Sequence, residues 1–275
     1  MKTIIVTTDF SPTATNAMNY AADMALQLNA SLLLFHVYQM PVMLTDAQII
    51  MLSVDELRDS AEQQMKETKE KLAHITSGRL KIYTETVMGH VTDELKILCE
   101  KISPFAIVAG TKGLSAVERT LFGSNTLSFI KHLSWPVICV PQGKEYGKGI
   151  QKAGLACDFR EVVDTIPLKT IENFISTTGA ALHVLNVDYN NKRFSPDTPE
   201  QSLLLHTALE KLNPQYHFIE HEDIEDGINE FAEKNNLDLI ITVPRKHKLL
   251  ESLFKPSSTR QLVFQSHIPV MCVHE

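Results

Sequence analysis

This chain contains an internal duplication, and the duplication limits what the chain can fold into. "VTTDF" at 6–10 resembles "GLACDF" at 154–159, and "WPVICVP" resembles "HIPVMCVH" near the end of the chain. The repeat is about 135 to 150 residues long, which is the size of a domain and far longer than a solenoid repeat. We therefore expect two tandem domains, at residues 1–142 and 150–275, with a linker in the Gly- and Lys-rich "PQGKEYGKGIQ".

Each copy alternates short apolar strands with helices. Runs such as "SLLLFHVY" and "FAIVAG" are typical of parallel strands covered on both faces, whereas residues 11–28 carry small and apolar side chains at helical spacing. Strands that are joined through helices pair in parallel with right-handed crossovers. The sequence thus predicts an α/β fold of two Rossmann-like domains, each a five-stranded parallel sheet flanked by helices.

A doubly wound sheet of this kind binds its ligand beyond the carboxyl ends of the strands, where the strand order reverses. In the first copy, the end of the first strand (Thr7, Thr8 and Asp9) and the end of the fourth strand (Ala109 and Gly110) would meet at that point. We expect these five residues to line a ligand site.

The stretch "GTKGLSAVERTLFGSNT" begins at the same point. Glycine at 110 allows a close approach of the backbone and a positive φ, and Gly113 suits a turn whose amides face an anion. After Gly123, a helix starts whose free N–H groups favour a phosphate. The residues that open this helix are Ser124, Asn125 and Thr126, and Lys112 and Arg119 could add positive charge. The pattern is neither a Walker A loop nor the dinucleotide fingerprint, so glycines that serve only the turns remain an alternative.

The spacing Gly110-x2-Gly113-x9-Gly123-Ser124 resembles the ATP-binding signature G-2x-G-9x-G-[S/T] of the universal stress protein family. "IVTTDFS", "VMGHVTDELKILCEK" and "WPVICVP" resemble other parts of the same family, and the resemblance extends over nearly the whole chain as two copies. It implies a Rossmann-like fold that binds ATP or AMP, in some members with a divalent metal such as Mg²⁺.

The resemblance also implies a role for each matching residue. Asp9 would hold the ribose or adenine side of the nucleotide, although capping of the next helix is an alternative reading of this residue. Thr7 and Thr8 would line the site, and Val37 would pack near adenine. Contacts with ribose and base would come from Ala109 and Gly110, and contacts with the phosphates from Gly113, Gly123, Ser124, Asn125 and Thr126.

The second copy keeps Asp158 opposite Asp9 but departs from the glycine pattern. Val243 and Lys246 stand opposite Gly110 and Gly113, and "VPRKHKLLESLFKPSST" contains no glycine. A β-branched side chain then occupies the place of the ligand, and Pro244 lacks an amide donor. We expect the second domain to have lost this nucleotide site. We expect its basic residues Arg245, Lys246 and Lys248 to form a solvated loop, with anion binding by this loop as an alternative.

Net charge, hydropathy and cysteine usage argue against some classes of partner and against some cellular compartments. A formal charge of −7 argues against nucleic-acid binding, and no apolar run is long enough to span a membrane. The start, "MKTIIVTTDF", is typical of a strand rather than a signal peptide, and the four scattered cysteines fit reduced core residues. We therefore expect a cytoplasmic protein. We expect residues 40–52 to form a core or intradomain helix, with a lid over the site or a partner surface as alternatives.

The function that these features favour is nucleotide-dependent regulation in a stress response, with at most slow ATP hydrolysis, because no general base is evident near the phosphates. An adenylating enzyme of the same α/β group, or an interaction protein without a ligand, remain alternatives. Single-domain relatives dimerise through the closing strand, so the resemblance implies an internal pseudo-dimer of the two domains. A homodimer and a regulatory protein partner, which the sequence does not identify, are further expectations.

Replacing Gly113 by valine (Gly113→Val) tests the glycine pattern. The side chain would fill the anion-binding turn, so we expect ATP affinity to be abolished while thermal unfolding of the nucleotide-free protein changes little. Calorimetric titration and thermal denaturation measure the two effects. Equal ATP affinity in the variant would remove the assignment.

Overall fold

The computed structural model describes residues 2–40, 53–111, 124–159, 166–188, 198–244 and 258–274. Several residues named above lie outside these ranges: Gly113, Gly123, Lys112, Arg119, the basic residues at 245–248 and most of the stretch 40–52. The elements of the first half are β1 Thr3–Thr7, α1 Pro12–Gln27, β2 Ser31–Tyr38, α2 Val54–Ile75, β3 Ile82–Met88, α3 Val91–Ile102, β4 Ala106–Thr111, α4 Ser124–His132 and β5 Val137–Pro141.

The second half repeats the order of strands. Its elements are β6 Lys152–Ala156, α5 Leu168–Thr178, β7 Ala181–Asp188, α6 Thr198–Leu209, a 3₁₀ turn at Glu210–Leu212, β8 Gln215–Glu220, α7 Ile224–Lys234, β9 Leu239–Thr242, α8 Ser258–Gln265 and β10 Val270–Cys272.

The ten strands in the described ranges form one sheet in the order β3-β2-β1-β4-β5-β10-β9-β6-β7-β8. Within each half the strands are parallel, and the order of the first half, 3-2-1-4-5, recurs in the second. The halves meet where β10 pairs with β5 in antiparallel fashion, with Val270 opposite Cys139. The predicted fold class is confirmed: two Rossmann-like α/β units, each built on a five-stranded parallel sheet.

Local sequence explains why the first helices form. Ser11 caps α1 by accepting a hydrogen bond from the amide of Ala14, and Pro12 occupies the first turn, where no amide donor is needed. In α2, Ser53 and Glu56 form a reciprocal capping box. Small side chains along α1, such as Ala17, are buried and let this helix lie close to the sheet.

Two apolar cores cover the two faces of the sheet. α1, α2, α5 and α6 contribute to the core on one face, and α3, α4, α7 and α8 to the core on the other. Because the halves are antiparallel to each other, the amino ends of the first-half strands lie on the same edge of the sheet as the carboxyl ends of the second-half strands.

A pair of histidines is packed into the second half. A ring nitrogen of His183 lies 2.9 Å from one of His217, so one donates a hydrogen bond to the other, and the rings stack. Burial lowers the pKa of both side chains, and repulsion from His217 and Lys152 lowers the pKa of His183 further. The folded protein therefore favours the uncharged form of both histidine side chains.

The histidine pair predicts a loss of stability in mild acid. Below the ordinary histidine pKa of 6.5 the unfolded chain binds protons that the folded pair resists, so the free energy of unfolding falls as the pH drops. We expect His217→Gln to weaken this dependence by a few tenths to about 1 kcal/mol between pH 7 and 5. Urea denaturation across this range measures it. His132→Gln, on the exposed end of α4, is the control, and an equal change in both variants would contradict the prediction.

Candidate functional site

A cavity of about 160 Å³ opens beyond the carboxyl ends of β1 and β4. Eight of the nine predicted site residues that the structure describes line it: Thr7, Thr8, Asp9, Val37, Ala109, Gly110, Asn125 and Thr126. The ninth, Ser124, is exposed at the first residue of α4 and is not part of the lining. The strand order thus brings two distant sequence segments and the start of a helix to one place.

The turn from β1 into α1 positions Asp9. Its Oδ1 atom accepts a hydrogen bond from the amide of Ser11 at 3.0 Å, and the amide of Phe10 donates to the Thr8 hydroxyl at 2.9 Å. The N-cap residue of α1 is Ser11. The alternative reading of Asp9, as the residue that caps this helix, is therefore wrong. The second carboxylate oxygen of Asp9 has no partner among the described residues, and the side chain is exposed towards the cavity.

The same turn is held from the neighbouring strand. Nδ1 of His36 on β2 donates to the carbonyl oxygen of Thr8 at 2.8 Å, and its ring packs on Phe10. Phe10 has a φ of 62°, a left-handed conformation that non-glycine residues seldom adopt. These contacts hold the backbone at Thr8 and Asp9 in place before any ligand arrives.

The structure corrects the reason for glycine at position 110. Gly110 does not have the positive φ that the sequence suggested. Instead, a Cβ atom here would lie 2.6 Å from the carbonyl oxygen of Thr13 and 2.8 Å from its Cγ2 atom. Glycine is needed because the first turn of α1 packs directly against the end of β4.

The structure also gives Thr126 a partner within the protein. Its hydroxyl donates to the carbonyl of Gly110 at 3.2 Å and its side chain is buried, so it joins the start of α4 to the end of β4. Asn125, beside it, is exposed and lines the cavity. The amino terminus of α4 therefore lies at the cavity, where its dipole favours negative charge.

Sequence reasoning missed several residues of the cavity wall. They are Ser11, Thr13, Ala14, Phe35, Val91 and Phe129. The helical spacing of α1 could have placed its first turn there. The contributions of α3 and α4 depend on crossover packing, which no local pattern encodes.

In the second half, the register of the strands places Val243 where Gly110 stands in the first. The turn after β6 is retained: Phe159 has a φ of 51°, and the Asn186 amide donates to the carbonyl of Cys157 as His36 does to Thr8. Residues 160–165, which follow this turn, lie outside the described residues, and the next described helix, α5, begins at Leu168.

Among the described residues, no three His, Cys, Asp or Glu side chains are placed to hold a metal ion. His217 lies on strand β8 and His221 follows the end of that strand, so the two histidines do not share a helix face. Cys99, Cys139 and Cys272 are buried thiols that form no disulfide. No helix in the described ranges has both the length and the apolar character needed to cross a bilayer.

The fold and the cavity define a class: tandem doubly wound α/β proteins with a cavity at the switch point of the first half. The model of the universal stress protein family matches residues 1–141 and 168–274, and the chain belongs to that family. A universal stress protein of Methanocaldococcus jannaschii is 29% identical over 146 residues, which is 52% of this chain and 84% of that protein.

Solved structures share the whole architecture. A universal stress protein from Archaeoglobus fulgidus superposes with a TM-score of 0.74 at 17% identity, covering 99% of this chain and 98% of that one. A functionally unknown protein from Pseudomonas aeruginosa gives a TM-score of 0.59 at 10% identity, covering 99% and 92%. At these identities the likeness establishes the fold.

The contact between α1 and β4 predicts the effect of a methyl group at position 110. Gly110→Ala should destabilise the protein by about 1–3 kcal/mol, because the Cβ atom would overlap the Thr13 carbonyl. Adding Thr13→Ser should recover part of the loss, because it removes the Cγ2 atom but leaves the carbonyl. Urea denaturation measures both variants. Unchanged stability in Gly110→Ala would show that this close packing is not needed.

Proposed function

We propose that the first half of this protein binds an adenine nucleotide, ATP or AMP, in the cavity between β1 and β4. The observation that carries the proposal is the meeting of three features at one cavity: the carboxylate of Asp9, an apolar wall, and the amino terminus of α4. A nucleotide requires these same three features, because its ribose donates hydrogen bonds, its base is flat and largely apolar, and its phosphates are anionic.

Each feature has a proposed role. The free oxygen of Asp9 accepts hydrogen bonds from the ribose hydroxyls, and Val37 and Ala109 pack against the base. Asn125 and the first amides of α4 face the phosphates. Gly113 and Gly123, which lie outside the described residues, keep their predicted place in the phosphate-binding loop.

Members of this family have been solved with nucleotides: one in complex with cAMP, and one from Arabidopsis thaliana with AMP bound. Their likeness to this chain is limited, with TM-scores of 0.39 and 0.36 over 52% of its length. The proposal therefore rests on family membership and on the cavity of this chain rather than on those two structures.

A magnesium ion fits this site only as a companion of the nucleotide. Asp9 is the one carboxylate among the described lining residues, and Mg²⁺ bound with nucleotides takes most of its other ligands from phosphate and water. When bound, the ion would neutralise phosphate charge. The chain's own residues would still position the ribose and the base.

We infer a regulatory rather than a rapidly catalytic role. Asp9 is also the one titratable side chain among the described lining residues, and its Oδ1 atom is already engaged with Ser11. A protein of this kind responds to nucleotide by changing what it binds, with at most slow hydrolysis. We propose that it acts in the cytoplasm, in a stress response, through a protein partner.

We also propose that the two halves act as an internal pseudo-dimer. Antiparallel pairing of β5 with β10 covers the edge of each half that would otherwise be open to another chain. This leaves β3 and β8 as the outer strands, and a homodimer would have to form elsewhere than at the closing strands.

The duplication supplies a matched pair of variants for testing the nucleotide site. Asp9→Asn keeps an acceptor for the Ser11 amide but removes the charge that holds the ribose, so we expect affinity for AMP and ATP to fall about tenfold or more. Asp158→Asn makes the same change at the equivalent position of the second half and should leave affinity unchanged. Calorimetric titration measures both variants.

Two results would contradict the proposed nucleotide site, and a third would contradict the regulatory role. No binding of either nucleotide to the unaltered protein would favour an interaction protein without a ligand. A loss of affinity in Asp158→Asn but not in Asp9→Asn would place the nucleotide site in the second half of the chain. Release of pyrophosphate with a co-substrate would instead indicate the adenylating enzyme.

A further inference from the structure

A second and larger cavity, of about 550 Å³, lies at the opposite edge of the first-half sheet. Lys2 and Thr3 at the start of β1, Phe105 before β4 and Pro136 before β5 contribute to its wall. The two edges are about 13 Å apart along β1, in which each residue rises ~3.3 Å. The two cavities are therefore distinct.

Both halves of the protein build this cavity. The first half supplies the strand starts and the loops before β4 and β5, and the second half supplies the first two turns of α5 through Lys169, Thr170 and Asn173. The antiparallel junction of β5 and β10 makes this possible, because it brings the carboxyl edge of the second half beside the amino edge of the first. A single domain of this family could not form such a wall alone.

The charges in the wall have one sign. Lys2 and Lys169 line the cavity, no aspartate or glutamate is among the described lining residues, and neither lysine makes an ion pair with a described residue. The chain as a whole carries a formal charge of −7, so two lysines without a carboxylate stand out from the general surface. Such an arrangement attracts an anion.

Two aromatic side chains, Phe105 and Trp135, also contribute to the wall. Phe105 lines the cavity and stacks on Phe174 of α5, with ring centroids 5.5 Å apart and an interplanar angle of 8°. The Lys2 ammonium lies 5.6 Å from the centre of the Phe105 ring, so cation and aromatic surface are side by side. Trp135, which is partly buried, adds a second aromatic surface.

We propose that this cavity binds a small organic anion with a planar ring, such as an aryl phosphate or aryl carboxylate. The anionic group lies between Lys2 and Lys169, and the ring packs against Trp135 and Phe105. Hydroxyl and amide groups of Ser134, Thr170 and Asn173 supply further hydrogen bonds. Because its wall comes from both halves, an occupant of this cavity links the two halves of the chain.

The sequence provides a direct probe of this site, because Trp135 is the single tryptophan of the chain. Phenyl phosphate should change the fluorescence of Trp135 in a saturable way at concentrations up to about 1 mM. Inorganic phosphate has the anionic group without the ring, and benzyl alcohol has the ring without the anionic group. Each should bind about tenfold more weakly than phenyl phosphate, or not at all.

Charge variants provide the control. The double variant Lys2→Gln, Lys169→Gln should weaken phenyl phosphate binding about tenfold or more. Lys66→Gln with Lys211→Gln, two exposed lysines on other elements, makes the same change in net charge and should leave binding unaltered. Far-UV circular dichroism verifies that both variants are folded.

An absence of saturable change with phenyl phosphate would overturn the proposal, and so would an equal loss in both double variants. Equal affinity for inorganic phosphate would overturn the role given to the aromatic wall, and equal affinity for benzyl alcohol would overturn the role given to the lysines. Trp135 is not among the residues lining the nucleotide cavity, so failure here leaves the nucleotide proposal standing.

Discussion

The pairing of β1 with β4 is the constraint on which the rest of the site depends. After β1 the chain winds outward to β2 and β3, and it returns to the other side of β1 only at β4, with Val6 opposite Val108. The helices that follow β1 and β4 therefore cover opposite faces of the sheet. The first turns of these helices therefore diverge beyond the strand ends, and the cavity of the first half lies between them.

The same pairing exists in the second half, between β6 and β9, yet Val243 stands there at the position of Gly110. In the first half a Cβ atom at this position would lie 2.6 Å from the Thr13 carbonyl oxygen, so glycine leaves room for the first turn of α1. A side chain at the strand end and a helical turn packed this closely exclude each other. The turn itself is retained, with a φ of 51° at Phe159 and 62° at Phe10.

Much of this could be predicted from the sequence, because strand and helix periodicity are local and the duplication repeats them. Strand order then placed Asp9, Ala109 and Gly110 at one cavity without any structure. What could not be predicted depends on packing between distant elements. The need for glycine at 110 comes from a helix that begins two residues after Phe10, and the cavity at Lys2 and Lys169 exists only because the two halves are joined edge to edge.

A crystal structure of the full chain grown with AMP tests the central claim most directly. The account predicts nucleotide density at the carboxyl ends of β1 and β4, with the ribose beside Asp9 and the phosphate towards the start of α4. Density beside Asp158 in the second half, or an empty cavity in the first half at saturating AMP, would contradict it.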